Sequence, residues 1–264
     1  MNNELIYEDL LEQYSKLTEE EQKAILVYKS NFFYHINAIA RVDDFENKSA
    51  DSIFSEIDDK NKFVTRFEIF KKTIMNPKNM VVRYSVFKCV NLDNITLFIE
   101  SMKEVYQFLK EACTKIKLCD DMVVYRGISV KKGEEVKQIS LSNIISTSIK
   151  VDDANDFIYQ NPSDESYLFA ISLKKGTNVL LTPLSLINQY EDGVSMFYND
   201  SERATLKVVN RGSQGQQEII LFDDTLQFTT NEVCKLPIEG CSDLVIHKIS
   251  SEPKFEMYDD KRRN

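Results

Sequence analysis

Asp120-Asp121-Met122-Val123-Val124-Tyr125-Arg126-Gly127 is the stretch at which the sequence changes texture. Upstream of it, apolar residues recur at helical spacing. Thr18-Glu19-Glu20-Glu21 has the form of a capping box, a hydroxyl N-cap with a glutamate three residues on. Ala24, Ile25, Tyr28, Phe32, Ile36, Ile39 and Ala40 then follow at three- and four-residue steps, a helical stripe with a break expected near Ser30-Asn31. Phe63, Phe67, Phe70 and Ile74 repeat the pattern, and Asn76-Pro77 is the expected stop. A long amphipathic helix is expected over 94–117, carrying Ile95, Phe98, Ile99, Met102, Tyr106, Leu109, Cys113 and Ile116 on one side.

Downstream, the apolar runs are short and β-rich, at 122–125, 144–147, 167–173, 178–181, 205–209, 219–222 and 244–249. Lys175-Gly176-Thr177 and Glu239-Gly240 punctuate them, and one short helix is expected at 152–159. This is an α+β arrangement: a helical N-terminal lobe at 1–118, a β-rich core at 119–250 and a charged tail at 251–264. With only 7 Gly and 5 Pro, no segment reads as a linker, so two lobes sharing one cleft are expected rather than two independent domains.

A net charge of -9 argues against general affinity for a nucleic-acid backbone. No apolar run is long enough to span a bilayer, and Met1-Asn2-Asn3-Glu4 lacks a basic, apolar leader. A cytoplasmic protein, or one delivered into a target cell by a route that needs no signal peptide, is the expectation. Cys89, Cys113, Cys119, Cys234 and Cys241 are odd in number and contain no CxxC pair, which favours reduced thiols over a disulfide framework. His35 and His247 are the only histidines and stand far apart, so no metal site is expected.

Three short segments of the β-rich half carry chemistry. Val123-Val124-Tyr125-Arg126-Gly127 is a strand ending in an arginine, and Ile145-Ser146-Thr147-Ser148 is a strand with three hydroxyls in a row. Gly215-Gln216-Gln217-Glu218-Ile219-Ile220-Leu221 is a loop entering a strand, with Gln216 and Glu218 on the same side by alternation. Each pattern alone is common on strands; their order is not.

That order resembles the R-S-E branch of the mono-ADP-ribosyltransferases, which includes cholera-toxin-like, Rho-modifying and vertebrate ecto-enzymes. The resemblance extends to the run from Phe169 to Thr177, which looks like the strand and turn between the second and third motifs. Tyr28-Lys29-Ser30-Asn31-Phe32-Phe33-Tyr34-His35-Ile36-Asn37 with Arg41 is similar to the Tyr…Ile-Asn…Arg helix of the family's N-terminal lobe. It implies a mostly antiparallel two-sheet core around a central cleft that binds NAD as substrate, with no metal.

Cleaving the nicotinamide–ribose bond builds positive charge on the ribose, as glycoside cleavage does, and a fixed carboxylate stabilises that charge in the transition state. Glu218 is the candidate, and the resemblance has it hold the ribose 2′-hydroxyl as well. A guanidinium grips phosphate oxygens in paired hydrogen bonds, which suits Arg126, followed by Gly127, to the NAD diphosphate. The resemblance gives Ser146 the task of placing the glutamate, and Thr147 and Ser148 that of bracing the nicotinamide pocket. Gln216 replaces the first glutamate of an ExE motif. An amide both donates and accepts, so it suits a neutral side chain such as asparagine. The segment at 199–215 lacks the aromatic residue common in Rho-modifying relatives and offers Arg203, Arg211, Ser213 and Gln214, with Arg211 a candidate for acceptor recognition.

The expected reaction is transfer of ADP-ribose to a macromolecular acceptor, a protein side chain first, by a toxin or effector. Three alternatives stand beside it. Water as acceptor gives an NAD glycohydrolase. Nucleic acid as acceptor draws on Arg203, Lys207 and Arg211 against an acidic background. A non-enzymatic partner-binding module would make the motif match accidental.

Overall fold

The protein is described here by a computed structural model that covers residues 3–75, 89–131, 144–155, 157–158, 164–182, 218–222, 226–238 and 243–253. The expected strand at 205–209, the stop at Asn76-Pro77 and the chain beyond 253 lie outside these residues.

The helical lobe begins with α1 (Asn3–Tyr14), which the sequence reading left out although it buries Ile6, Leu10 and Tyr14 at four-residue steps. The capping box then starts α2 (Glu19–Val27): Glu21 N–H donates to Thr18 Oγ1 at 3.3 Å, and Thr18 N–H donates to Glu21 Oε2 at 2.8 Å. Glu21 is buried, and Lys115 of α6 (Ile95–Lys115) pairs with its other oxygen. The expected break near residue 30 is a π-helical turn, Tyr28–Phe32, leading into α3 (Phe33–Ala40). Its cause is visible in the stripe. Tyr28, Phe32, Ile36 and Ala40 are spaced by four, and each such step overruns a 3.6-residue turn by about 40°. One π turn absorbs that drift and keeps all four side chains in the core.

Among the described residues, two further α-helices, α4 (Ala50–Glu56) and α5 (Lys60–Met75), precede α6. Ser49 and Asn94 cap α4 and α6, accepting from Ser52 N at 3.3 Å and Leu97 N at 2.9 Å. Helix α6 buries Phe98, Ile99, Met102, Val105, Tyr106 and Leu109 against the other helices and the sheet, each large apolar side chain contributing about 1.5–3 kcal/mol.

Among the described residues, seven strands form one mixed sheet: β1 (Met122–Lys131), β2 (Ile144–Ser148), β3 (Asp164–Leu173), β4 (Leu180–Thr182), β5 (Glu218–Phe222), β6 (Leu226–Leu236) and β7 (Leu244–Pro253), in the order β4-β5-β2-β1-β3-β7-β6. All neighbours are antiparallel except β3 and β7. The expected division into two sheets is therefore not what the described residues show. The sheet does have a seam: β1 and β2 share the single register pair Tyr125–Ser148, whereas β1 and β3 pair along ten residues each. Strand β6 escaped the sequence reading because it is an edge strand, exposed along most of its length and bulged between Thr230 and Glu232, so it carries no alternation. Strand β7 runs on to Pro253, into the segment read as tail. The helix expected at 152–159 is shorter, α7 (Val151–Asn155).

The two lobes share one apolar core. Tyr106 of α6 meets Phe222 of β5 edge-on at 5.9 Å between ring centres. The turn after β3 closes on the segment that follows α6: Gly176 N–H donates to Leu118 O at 2.8 Å, and Leu118 N–H to Thr177 O at 3.0 Å. Gly176 holds φ 83°, the left-handed region that favours glycine.

His35 lies at the centre of the helical lobe, fully buried, with Phe63 and Phe98 edge-on at 4.7 and 4.9 Å and its Nε2 3.1 Å from Phe63 O. Burial pushes its pKa from 6.5 down to about 4. The neutral form is thus favoured by folding. The stability it supports is intact above pH 6.5 and is lost as the pH falls towards 4, a total of about 3 kcal/mol. Chemical denaturation at pH 7 and pH 4 should show wild type losing about 3 kcal/mol more than His35→Phe over that interval; equal losses would remove His35 as the cause.

Candidate active site

Glu218 opens β5, and every residue of that strand is buried. Register places its neighbours. Ser148 of β2 and Thr182 of β4 stand directly opposite Glu218, and Ser146 stands opposite Ile220, one diagonal step away. A glutamate is long enough to reach across such a diagonal. Ser146 Oγ donates to Glu218 Oε1, and Thr182 Oγ1 donates to Glu218 Oε2 at 3.0 Å. A third partner comes from the other lobe: the Lys29 ammonium, on the π-helical turn, pairs with the same Oε2. Both side chains are nearly buried, 14% and 11% exposed, so this is no surface ion pair.

Burial alone would push the Glu218 carboxyl up. The Lys29 charge and the Ser146 and Thr182 hydroxyls more than reverse that and hold it below the usual carboxylate value. Beside it, Arg126 Nη1 donates to Ser146 O at 2.8 Å, across the seam between β1 and β2. Burial lowers the Arg126 pKa; the charge of Glu218 opposes that shift and the like charge of Arg41, the C-cap of α3, adds to it. Tyr28 lies near Glu218 and Arg126. It is buried, its hydroxyl is hydrogen-bonded to Asn37, and burial followed by the nearby Glu218 charge raises its pKa.

The structure thus brings Arg126, Ser146 and Glu218 together, each within one interaction of the next. Thr147 and Ser148 turn elsewhere: Thr147 Oγ1 donates to Ile219 O at 2.7 Å, and Ser148 Oγ donates to Asp153 Oδ2 of α7 at 2.7 Å. Gly127 is buried under α7. Gln216 and Arg211 lie outside the described residues. Two members of the cluster were not foreseen. Thr182 carried a faint signal as the polar end of an apolar strand. Lys29 carried one as a cation within an aromatic, apolar helical run.

In chemical terms the cluster is one carboxylate fixed by two hydroxyls and faced by an ammonium, with two guanidiniums close by. The planar guanidinium of Arg126 suits a ligand group with paired anionic oxygens, such as a diphosphate. Among the described residues there is no group of His, Cys, Asp or Glu placed to hold a metal ion, and no helix long and apolar enough to cross a membrane.

No protein-family model matches this chain, and no curated protein matches it by sequence. Solved structures do. The chain is similar to Plx2a, an ADP-ribosyltransferase toxin from Paenibacillus larvae, with a TM-score of 0.50 and 16% identity over 95% of this chain and 94% of that one. C3larvin toxin, an ADP-ribosyltransferase from the same organism, aligns at 0.45 and 13% identity over 93% and 94%. An ADP-ribosyltransferase from Clostridium botulinum aligns at 0.43 and 10% over 95% and 96%. The likeness to Plx2a spans nearly the whole of both chains and establishes the fold: α+β, a helical lobe on a strand core, as in that ADP-ribosyltransferase.

Gly127 separates packing from binding. A Cβ there would lie 2.0 Å from Ala154 O and 2.8 Å from Ile158 Cγ1, closer than any side chain can be accommodated without moving α7. Gly127→Ala should destabilise the ligand-free protein by about 1–3 kcal/mol, read as a lower Tm. An unchanged Tm together with lost dinucleotide binding would instead put Gly127 at the ligand.

Proposed function

We propose that this chain is a mono-ADP-ribosyltransferase that cleaves NAD and passes ADP-ribose to a protein side chain, acting as a toxin or effector. The observation that carries the reading is the meeting of Arg126, Ser146 and Glu218 at one point, from three strands distant in sequence. The fold shared with Plx2a, itself an ADP-ribosyltransferase toxin, supports it.

The chemistry follows from the charges. As the bond between ribose C1′ and nicotinamide breaks, its electron pair leaves on nicotinamide and the ribose becomes cationic. A carboxylate already desolvated and fixed stabilises that cation without reorganising, which is where electrostatic catalysis gains most. Glu218, ionised by its surroundings, has this task in the proposal, with a ribose hydroxyl as a further contact. Ser146 and Thr182 are positioning residues: they fix the carboxylate through its two oxygens. Arg126, with Arg41 near it, takes the diphosphate. Thr147 and Ser148 brace the strand from behind through Ile219 and Asp153. The acceptor nucleophile then bonds to C1′ and gives up its proton to solvent. Gln216, two residues before Glu218 in the chain, is the proposed contact to a neutral acceptor group, with Arg211 further along the same segment.

Incubating the protein with NAD labelled in its adenylate and with cell lysate should label a small set of proteins. Glu218→Gln keeps the shape of the side chain and removes its charge, and it should lower labelling and nicotinamide release at least ~100-fold. Undiminished labelling by that variant would end the proposal. Free ADP-ribose released with nothing labelled would make water the acceptor, and label on RNA or DNA would make nucleic acid the acceptor. Arg126→Lys, which loses the planar fork, should raise the KM for NAD ~10-fold with a smaller effect on kcat.

A further inference from the structure

The interaction that the proposed chemistry leaves unexplained is the Lys29–Glu218 ion pair. Glu218 is meant to face developing positive charge, yet a protein cation already occupies that place. Oxygen Oε2 accepts from both Lys29 and Thr182, which fills its two lone pairs, while Oε1 accepts from Ser146. A ribose hydroxyl and a cationic ring approaching this carboxylate would meet an ammonium at the same oxygen.

We propose that Lys29 is the resting-state counter-ion of Glu218, a stand-in for the positive charge of the oxidised nicotinamide–ribose unit, and that NAD displaces it on binding. The inference rests on the functional reading above. Three observations carry it. The pair is nearly buried on both sides, so among the described residues an ionised Glu218 without Lys29 would keep two hydroxyls and no cation against its desolvated charge. Lys29 comes from the helical lobe and Glu218 from the sheet, so the contact joins the two lobes at the carboxylate proposed to meet the substrate. Its backbone belongs to the π-helical turn, where the regular hydrogen-bond ladder is interrupted and a small change of register would swing the side chain. An ammonium on a four-carbon stem can leave without disturbing Ser146, Thr182 or Arg126, which hold the rest of the site.

The consequence is specific to charge. Oxidised NAD carries a cationic ring and competes with Lys29 for Glu218; NADH carries a neutral ring and gains nothing from an uncovered carboxylate. Calorimetric Kd values for NAD and NADH should be measured at pH 8 on wild type, Lys29→Met and Lys29→Gln, with thermal unfolding confirming that each variant is folded. Both variants should bind NAD about 10-fold more tightly, and NADH within about 2-fold of wild type. Equal weakening for both dinucleotides would overturn the proposal and make Lys29 a diphosphate ligand. Equal strengthening, or no change, would overturn it as well, because a general change of structure does not distinguish ring charge. Failure of wild type to bind either dinucleotide at millimolar concentration would instead defeat the functional reading, and this inference with it.

Discussion

A carboxylate placed at the first residue of a fully buried strand is an expensive thing to fold around. Leaving water costs an ionised carboxyl several kcal/mol, and the fold has to supply partners for it or see it protonated. Glu218 has them from three directions: Ser146 across the sheet on one side, Thr182 on the other, and Lys29 from above. Two belong to the sheet and one to the helical lobe. The charge therefore does what apolar contacts alone cannot, fixing how the lobes face each other at one atom-sized point, since a carboxylate oxygen is satisfied only within a narrow range of geometry.

Around that point the apolar framework is stiff where the chemistry needs it. Ile219, Ile220, Leu221 and Phe222 follow Glu218 into the core, and Phe222 rests against Tyr106 of α6. A shift of β5 would have to drag packed side chains with it, which close packing resists. The seam between β1 and β2 is the complementary feature. Where the strands separate beyond Tyr125 and Ser148, the Arg126 side chain takes the Ser146 carbonyl, so a half-buried guanidinium has a hydrogen-bond partner beside the carboxylate. A continuous ladder would have left it no such place.

What could be read in the sequence followed from periodicity and local chemistry. The capping box at Thr18, the stripe of α6 and the strand ending at Ser148 are set by residues within a few positions of one another, and they stand where the spacing puts them. Arg126, Ser146 and Glu218 were legible as candidates for a different reason: the order of their three short motifs resembles that of the R-S-E mono-ADP-ribosyltransferases, although each motif alone is common on strands. Strand β6 was not, because both of its faces are largely exposed and nothing imposes a pattern on it. Nor was Lys29. Its direction depends on the phase of a helix that gains a residue at the π turn, and an error of one residue turns a side chain about 100°. Thr182 was missed because its role exists only through register with Glu218, a pairing made across 36 residues of chain.

That pairing has an implication for how such a site diversifies. Thr182 and Glu218 are register partners, so the segment that joins them starts and ends at the carboxylate. Gln216 and Arg211, the residues proposed to meet the acceptor, belong to that segment, while Arg126, Ser146 and Lys29 belong to elements on other stretches of chain. In the proposed function, acceptor choice belongs to the connection that leaves β4 at Thr182 and returns to β5 at Glu218, and bond cleavage belongs to the strands that hold the carboxylate.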